Sequence, residues 1–200
     1  MKRIFFVVIV FVSLTGYVKA NTTIFNDDFN TENGGIANSS TLNYNSFVNW
    51  AVSGGTVDLI GNGYYDFLPG NGLYVDMDGS SSNAGIMTTN LDLSAGMYIL
   101  SFDLAGNQRN SSPEQVDVKV GALFSDSYSL SQNVPFTTFT EFFNVVTPGI
   151  YSLSFEGIGG DNMGMLLDNV SVSTIPAPGA ILLGSLGAGL VGWLRRRRTI

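Results

Sequence analysis

From Trp50 onward the chain alternates apolar and polar residues in short runs separated by Gly, Asn, Asp and Pro, the pattern of strands and turns. Strands are predicted at 22–25, 49–52, 56–60, 73–77, 84–88, 97–104, 115–120, 127–130, 137–145, 149–156 and 165–172. The clearest run places Tyr98, Leu100, Phe102 and Leu104 on one face and Ile99, Ser101 and Asp103 on the other. Tyr151, Leu153 and Phe155 repeat the scheme against Ser152, Ser154 and Glu156, and Val116, Val118 and Val120 alternate with Gln115, Asp117 and Lys119. So many short strands with no internal repeat predict an all-β domain, two antiparallel sheets packed as a β-sandwich of jelly-roll type. Residues 26–49 break the pattern and read as a long polar loop anchored by Ile36, Leu42, Tyr44 and Phe47.

The two ends are of another kind. Lys2 and Arg3 precede an apolar run from Ile4 to Leu14, and Val18-Lys19-Ala20 supplies a peptidase site, so residues 1–20 are expected to be a secretory signal cut between Ala20 and Asn21. Near the other end an apolar run over 179–194 is just long enough to cross a hydrocarbon core at about 1.5 Å per residue. Arg195, Arg196, Arg197 and Arg198 follow it and should remain on the cytoplasmic side. The expected organisation is therefore signal peptide 1–20, sandwich 21–172, linker and motif 173–178, transmembrane helix 179–194 and basic tail 195–200.

Pro176-Ala177-Pro178, the apolar run and the arginine cluster, in that order, resemble the PEP-CTERM sorting signal of Gram-negative bacteria. Ala177 stands where the name-giving Glu of that family would be. The resemblance implies export, retention by the helix, and an exosortase-type membrane protease as partner. Its end point is the cell surface or the extracellular matrix. Strings in the body, Gly72-Leu73-Tyr74-Val75-Asp76 followed by Asp78-Gly79, and Ser101 to Arg109, are similar to those of exported PEP-CTERM proteins of unassigned activity.

Charge narrows the partners. The body carries all 16 acidic residues against Arg109 and Lys119 alone, so its net charge is −14 rather than the −7 of the whole chain. Nucleic acid is thereby disfavoured, because binding it requires neutralising phosphates with Lys and Arg. Short carboxylates near Gly and Asn are instead the oxygen donors that Ca²⁺ prefers; a merely solvated acidic surface is the alternative. Histidine and cysteine are absent, which excludes Ser-His triads, Cys-His dyads, disulfides and the common zinc sites.

Three clusters are candidates for chemistry. Asp168-Asn169-Val170-Ser171-Val172 is similar to the terminal strand of carbohydrate-binding modules with a galactose-binding-like fold. That resemblance implies a structural Ca²⁺ held by Asp168 with Asp27 or Asp28 opposite; Asp168 capping turn amides is the alternative. Asp76 and Asp78 would fall on one side of an extended strand about 7 Å apart, able to clasp a cation, to serve as paired acid and base, or simply to make a turn. Asn107, Gln108 and Arg109 follow a strong strand and could hydrogen-bond sugar hydroxyls, with Tyr64, Tyr65 and Phe67 as a stacking face or as core.

The expectation is a non-enzymatic surface or matrix sandwich that mediates binding or adhesion, with extracellular polysaccharide as partner. The competing expectation is a carboxylate-based glycoside hydrolase or polysaccharide lyase using Asp76, Asp78 or Glu156.

Overall fold

A strand with one apolar face must bury it against a second sheet, and this chain does so with two antiparallel sheets. The computed structural model describes residues 21–35, 40–63, 65–81, 83–109 and 113–175, with the isolated helical positions 187 and 189. Eleven strands lie among the described residues: β1 (Thr23–Asp27), β2 (Ala51–Ser53), β3 (Asp58–Gly61), β4 (Leu73–Asp76), β5 (Ile86–Leu93), β6 (Gly96–Ala105), β7 (Glu114–Val120), β8 (Phe124–Leu130), β9 (Thr137–Val145), β10 (Gly149–Ile158) and β11 (Leu166–Ile175).

The first sheet runs β3-β4-β11-β6-β9 with β1 also on β11, and the second runs β2-β5-β10-β7-β8. From β4 to β11 the chain changes sheet at every connection except the β7–β8 hairpin. Two four-stranded sheets so linked, 4-11-6-9 over 5-10-7-8, are a jelly roll, to which β1, β2 and β3 are additions.

The core is the inward alternation. Leu100, Phe102 and Leu104 of β6 are fully buried, as are Val116, Val118 and Val120 of β7 and Leu153 and Phe155 of β10. Phe102 joins the layers: its ring meets Phe155 edge-on at 5.2 Å and Tyr128 of β8 at 5.2 Å. Each such contact adds about 0.5–1.5 kcal/mol beyond the area it buries. The long loop is tied to this core by Phe29, Tyr44 and Phe47, all buried, whereas Leu42 is partly exposed; Ile36 lies outside the described residues.

Two expectations change. The linker expected from residue 173 is not a linker at its start, because β11 continues to Ile175, pairing Ser173 with Ile99 and Ile175 with Met97. β4 ends at Asp76, one residue early, where the Asp76 carboxylate accepts from the Asp78 amide at 3.1 Å and the chain bends. The predicted signal peptide, the motif at Pro176, Ala177 and Pro178, and the arginines 195–198 lie outside the described residues, as does the predicted transmembrane helix apart from positions 187 and 189. Among the described residues no helix is long and apolar enough to cross a membrane.

Replacing Phe102 by Ala should cost about 3–5 kcal/mol in urea denaturation, whereas Phe142→Ala, on the exposed side of β9, should stay within about 0.5 kcal/mol.

Candidate functional site

One end of the sandwich gathers the start of β3, the end of β4, the end of β6 and the start of β11. Pairing sets Asp58 directly opposite Asp76, and Ile60 opposite Tyr74. These four face away from the main core, into which the alternate residues Leu59, Leu73 and Val75 point. Their side is buried a second time: Ile60, Tyr74, Ala105 and Leu166 form a small apolar cluster with Phe67, Leu68 and Phe136. The β3–β4 connection is folded down onto the sheet by Tyr74, whose hydroxyl accepts from the Leu68 amide at 3.0 Å and donates to Asp66 at 3.1 Å.

Between that connection and the strands lies a cavity of about 270 Å³, lined by Leu42, Asp58, Ile60, Tyr65, Phe67, Asp76, Ser80 and Arg109. Tyr65 and Phe67 stack with centroids 6.3 Å apart, and the Arg109 guanidinium sits 4.8 Å above the Phe67 ring. Arg109 is held on three sides: Nη2 pairs with Asp76, Nη1 donates to the Asn162 carbonyl at 3.1 Å, and Nε donates to the Asn107 carbonyl at 3.1 Å. Three of its five N–H groups are thus used among the described residues.

Asp76 is almost wholly buried. Its Oδ1 accepts from the Asp78 amide at 3.1 Å and the Gly164 amide at 2.8 Å. Burial pushes its carboxyl up to about 7, against the opposing pull of Arg109 and those amides. Gly164 is required here: a Cβ on it would stand 2.8 Å from Asp76 Oδ1 and closer still to the Asp78 amide. Asp58 is held by the Asn43 amide at 2.6 Å and by the amide and hydroxyl of Ser80, at 3.0 and 2.8 Å.

The predicted ligand-binding set is divided by this geometry. Asp76 and Arg109 line the cavity together with Tyr65 and Phe67; Tyr64 lies outside the described residues. Asp78, Asn107 and Gln108 do not line it. With β4 ended, Asp78 turns under the β10–β11 connection, where its Oδ2 accepts from the amides of Asp161 and Asn162 at 3.1 and 3.2 Å. Burial pushes its carboxyl up, and its Oδ1 is buried without a partner among the described residues. Asn107 is wholly buried and positions Arg109, its Oδ1 accepting the Arg109 amide at 2.9 Å while its Nδ2 donates to Glu114 at 3.1 Å. Gln108 donates to the carbonyls of Gly106 and Val134 at 3.0 and 2.9 Å, bracing the β8–β9 connection. Glu156, on β10 of the other sheet, pairs with Lys119 at 3.3 Å and is not brought to Asp76.

Sequence reasoning missed Asp58, Ser80, Leu42 and Ile60. The signal for the first was present: an aspartate inside the apolar run Val57 to Ile60 has to be answered by donors.

A second acidic group forms where β11 changes neighbour, from β4 at Leu166 and Leu167 to β1 at Val170. The exchange is accompanied by a register shift and by Asn169 at φ 51°. Asp168 there is buried and accepts one hydrogen bond, from the Asn169 amide at 2.7 Å. Burial pushes its carboxyl up to about 8; the Asn169 amide opposes this, and negative Asp103, Asp28 and Asp27 add to the rise. The three carboxylates expected to hold Ca²⁺ therefore share one neighbourhood, but Asp27 is occupied. Its Oδ1 accepts from the Phe29 amide at 2.9 Å, and its Oδ2 from Asn49 Nδ2 at 3.0 Å and Trp50 Nε1 at 2.9 Å. Asp28 accepts one bond, from the Asn30 amide at 3.2 Å. Among the described residues no group of three acidic side chains has metal-holding geometry.

No family model matches the chain, and no curated protein matches it in sequence. Solved structures are similar in part. The adhesin domain K3 of Lys-gingipain from Porphyromonas gingivalis is 17% identical over 77% of this chain and 99% of that one, with a TM-score of 0.49. The CBM22-1 xylan-binding domain from Paenibacillus barcinonensis Xyn10C is 14% identical over 80% of this chain and 98% of that one, with a TM-score of 0.49. A CBM36 carbohydrate-binding module solved with calcium and xylotriose is 13% identical over 68% and 98%, with a TM-score of 0.43.

The raised carboxyls fix a pH dependence. Asp76 and Asp168 keep their protons in the folded chain above the ordinary 3.8 of an unfolded aspartate, up to about 7 and 8. The stability this contributes is complete below about pH 4 and is lost as pH rises through 7 to 8. In chelator, the melting midpoint should fall by ~5 °C or more between pH 5 and 8.5, since ~1 kcal/mol moves a domain of this size by about 2–4 °C. Circular dichroism melts of Asp168→Asn should show a flatter dependence.

Proposed function

We propose that this chain is an exported, surface-held binding module whose outward cavity takes a glycan, and that it is not an enzyme. What carries the reading is the meeting of Tyr65 and Phe67, Arg109, and the carboxylates Asp58 and Asp76 around one cavity, drawn from the β3–β4 hairpin and the β6–β7 connection. A sugar ring offers an apolar face and a rim of hydroxyls. Tyr65 supplies an exposed ring, the N–H groups of Arg109 not used among the described residues donate, and Asp58 accepts. A cavity of about 270 Å³ suits a small polar ligand rather than a long stretch of polymer. Asp76 is unsuited to acid–base work on a substrate, being closed in by Arg109 and two amides.

A structural Ca²⁺ belongs to the same proposal, at Asp168. A buried carboxyl with one hydrogen bond and acidic neighbours is a group that a cation would stabilise. Asp28 keeps an oxygen for it and Asp27 does not. Export rests on the two ends of the sequence. Residues 1–20 direct secretion, and the Pro176-Ala177-Pro178 motif, apolar run and arginines deliver the chain to an exosortase-type protease and thence to the surface or matrix of a Gram-negative cell.

On a glycan array the full chain should bind a subset of sugars. Arg109→Met and Tyr65→Ala should each lower that binding at least tenfold; binding unchanged in both variants removes the cavity from the account, and binding to no glycan removes the lectin reading. Run in parallel with Ca²⁺ and with EDTA, melting should drop on chelation in the wild type and not in Asp168→Asn. Intact-mass measurement of surface-extracted protein should show Arg195 to Arg198 missing, and finding them on every mature molecule refutes processing.

A further inference from the structure

A guanidinium beside aromatic rings would by itself suit an anionic sugar, but the charges around the cavity decide against one. Asp58, Asp76 and Arg109 line it, two carboxylates to one cation. Arg109 is already engaged: it pairs with Asp76, and its guanidinium lies over the Phe67 ring. The other carboxylate, Asp58, is met among the described residues by uncharged donors, the amides of Asn43 and Ser80 on Oδ1 and the Ser80 hydroxyl on Oδ2. An ionised carboxylate offers about four acceptor positions, so Oδ2 keeps one for a further donor.

The formal charge of the lining is therefore −1. A proton on Asp76, whose carboxyl is raised to about 7 by burial, brings the sum to zero and not above it. In neither state does the cavity attract an anion. The field of the whole body acts in the same sense, because 16 acidic residues against Arg109 and Lys119 repel uronates and draw cations in. Lys119 does not offset this at the cavity, since it lies on β7 of the other sheet and pairs with Glu156. What Asp58 lacks is a positive donor, and the exposed Tyr65 ring offers a face against which a sugar carrying one would lie.

We infer that the cavity selects an amino sugar with an unacetylated, protonated amine, seated with its ammonium on Asp58. The inference rests on the glycan reading of the cavity and adds to it the charge of the ligand. A hydrogen bond from an ammonium to a carboxylate is about twice as strong as one between neutral groups. N-acetylation removes that charge, a uronate reverses it, and a plain hexose offers a neutral hydroxyl in its place.

Calorimetric titration of the full chain with disaccharides of glucosamine, N-acetylglucosamine, glucose and glucuronate, alike in linkage, tests this. The glucosamine disaccharide should bind about tenfold more tightly than the acetylated or plain one, and the glucuronate most weakly, with the preference shrinking in about 0.5 M salt. Asp58→Asn retains an acceptor for the Asn43 and Ser80 amides; it should bring the preference below about twofold while binding the plain disaccharide as the wild type does. Asp126→Asn, at an exposed carboxylate on β8, should leave the preference intact. Equal binding of the glucosamine, acetylated and plain disaccharides, or tightest binding of the glucuronate, overturns the inference and leaves the glycan reading standing. A preference lost as fully in Asp126→Asn as in Asp58→Asn also overturns it, assigning the attraction to the charge of the whole body. Binding of none of the four by a chain that binds other glycans on the array overturns the inference alone, and a blank array overturns both.

Discussion

A domain with 16 acidic residues and two cations cannot bury carboxylates freely, and the Asp76–Arg109 pair is the point on which its upper end depends. An aspartate nearly free of solvent needs a positive partner or a proton. Arg109 opposes the burial that raises the Asp76 carboxyl, and in doing so ties the end of β4 to the β6–β7 and β10–β11 connections through Asn107 and Asn162. The other buried carboxylates here are answered by donors without charge. Asp58 takes the Asn43 amide and Ser80, Asp78 takes two loop amides, and Asp27 takes Trp50 and Asn49.

The same arrangement creates the cavity. The β3–β4 connection is folded against the outer face, and its Phe67 lies under the Arg109 guanidinium. A site so built is preorganised, its main cation fixed by three bonds before any ligand arrives. Asp168 is the contrasting case. It lies where β11 exchanges one neighbour strand for another, and the irregularity leaves it one amide and several negative neighbours.

How much could be read beforehand varies by element. The period-2 faces of β6, β7 and β10 are explicit in the chain, because a strand has only two sides and a sheet buries one of them. The eleven strands follow from such local signals, with edges displaced by one to three residues in most of them. For the cavity, Asp76, Arg109, Tyr65 and Phe67 were visible as polar or aromatic residues beside strong strands. Their company was not. Asn107 and Gln108 look as available as Arg109 in the sequence, yet both are turned inward to bond main-chain groups and Glu114.

By itself the sequence determined the strand-and-turn alternation, the acidic body between two basic, apolar ends, and the exclusion of histidine and cysteine chemistry, since these are properties of composition and of neighbours along the chain. Only the tertiary structure decided that Asp58 stands opposite Asp76 across a pair of strands, that Asp78 sinks beneath a loop, and that Asp27 serves Trp50 rather than an open site. Those outcomes depend on which segments meet, and a jelly roll brings together segments tens of residues apart.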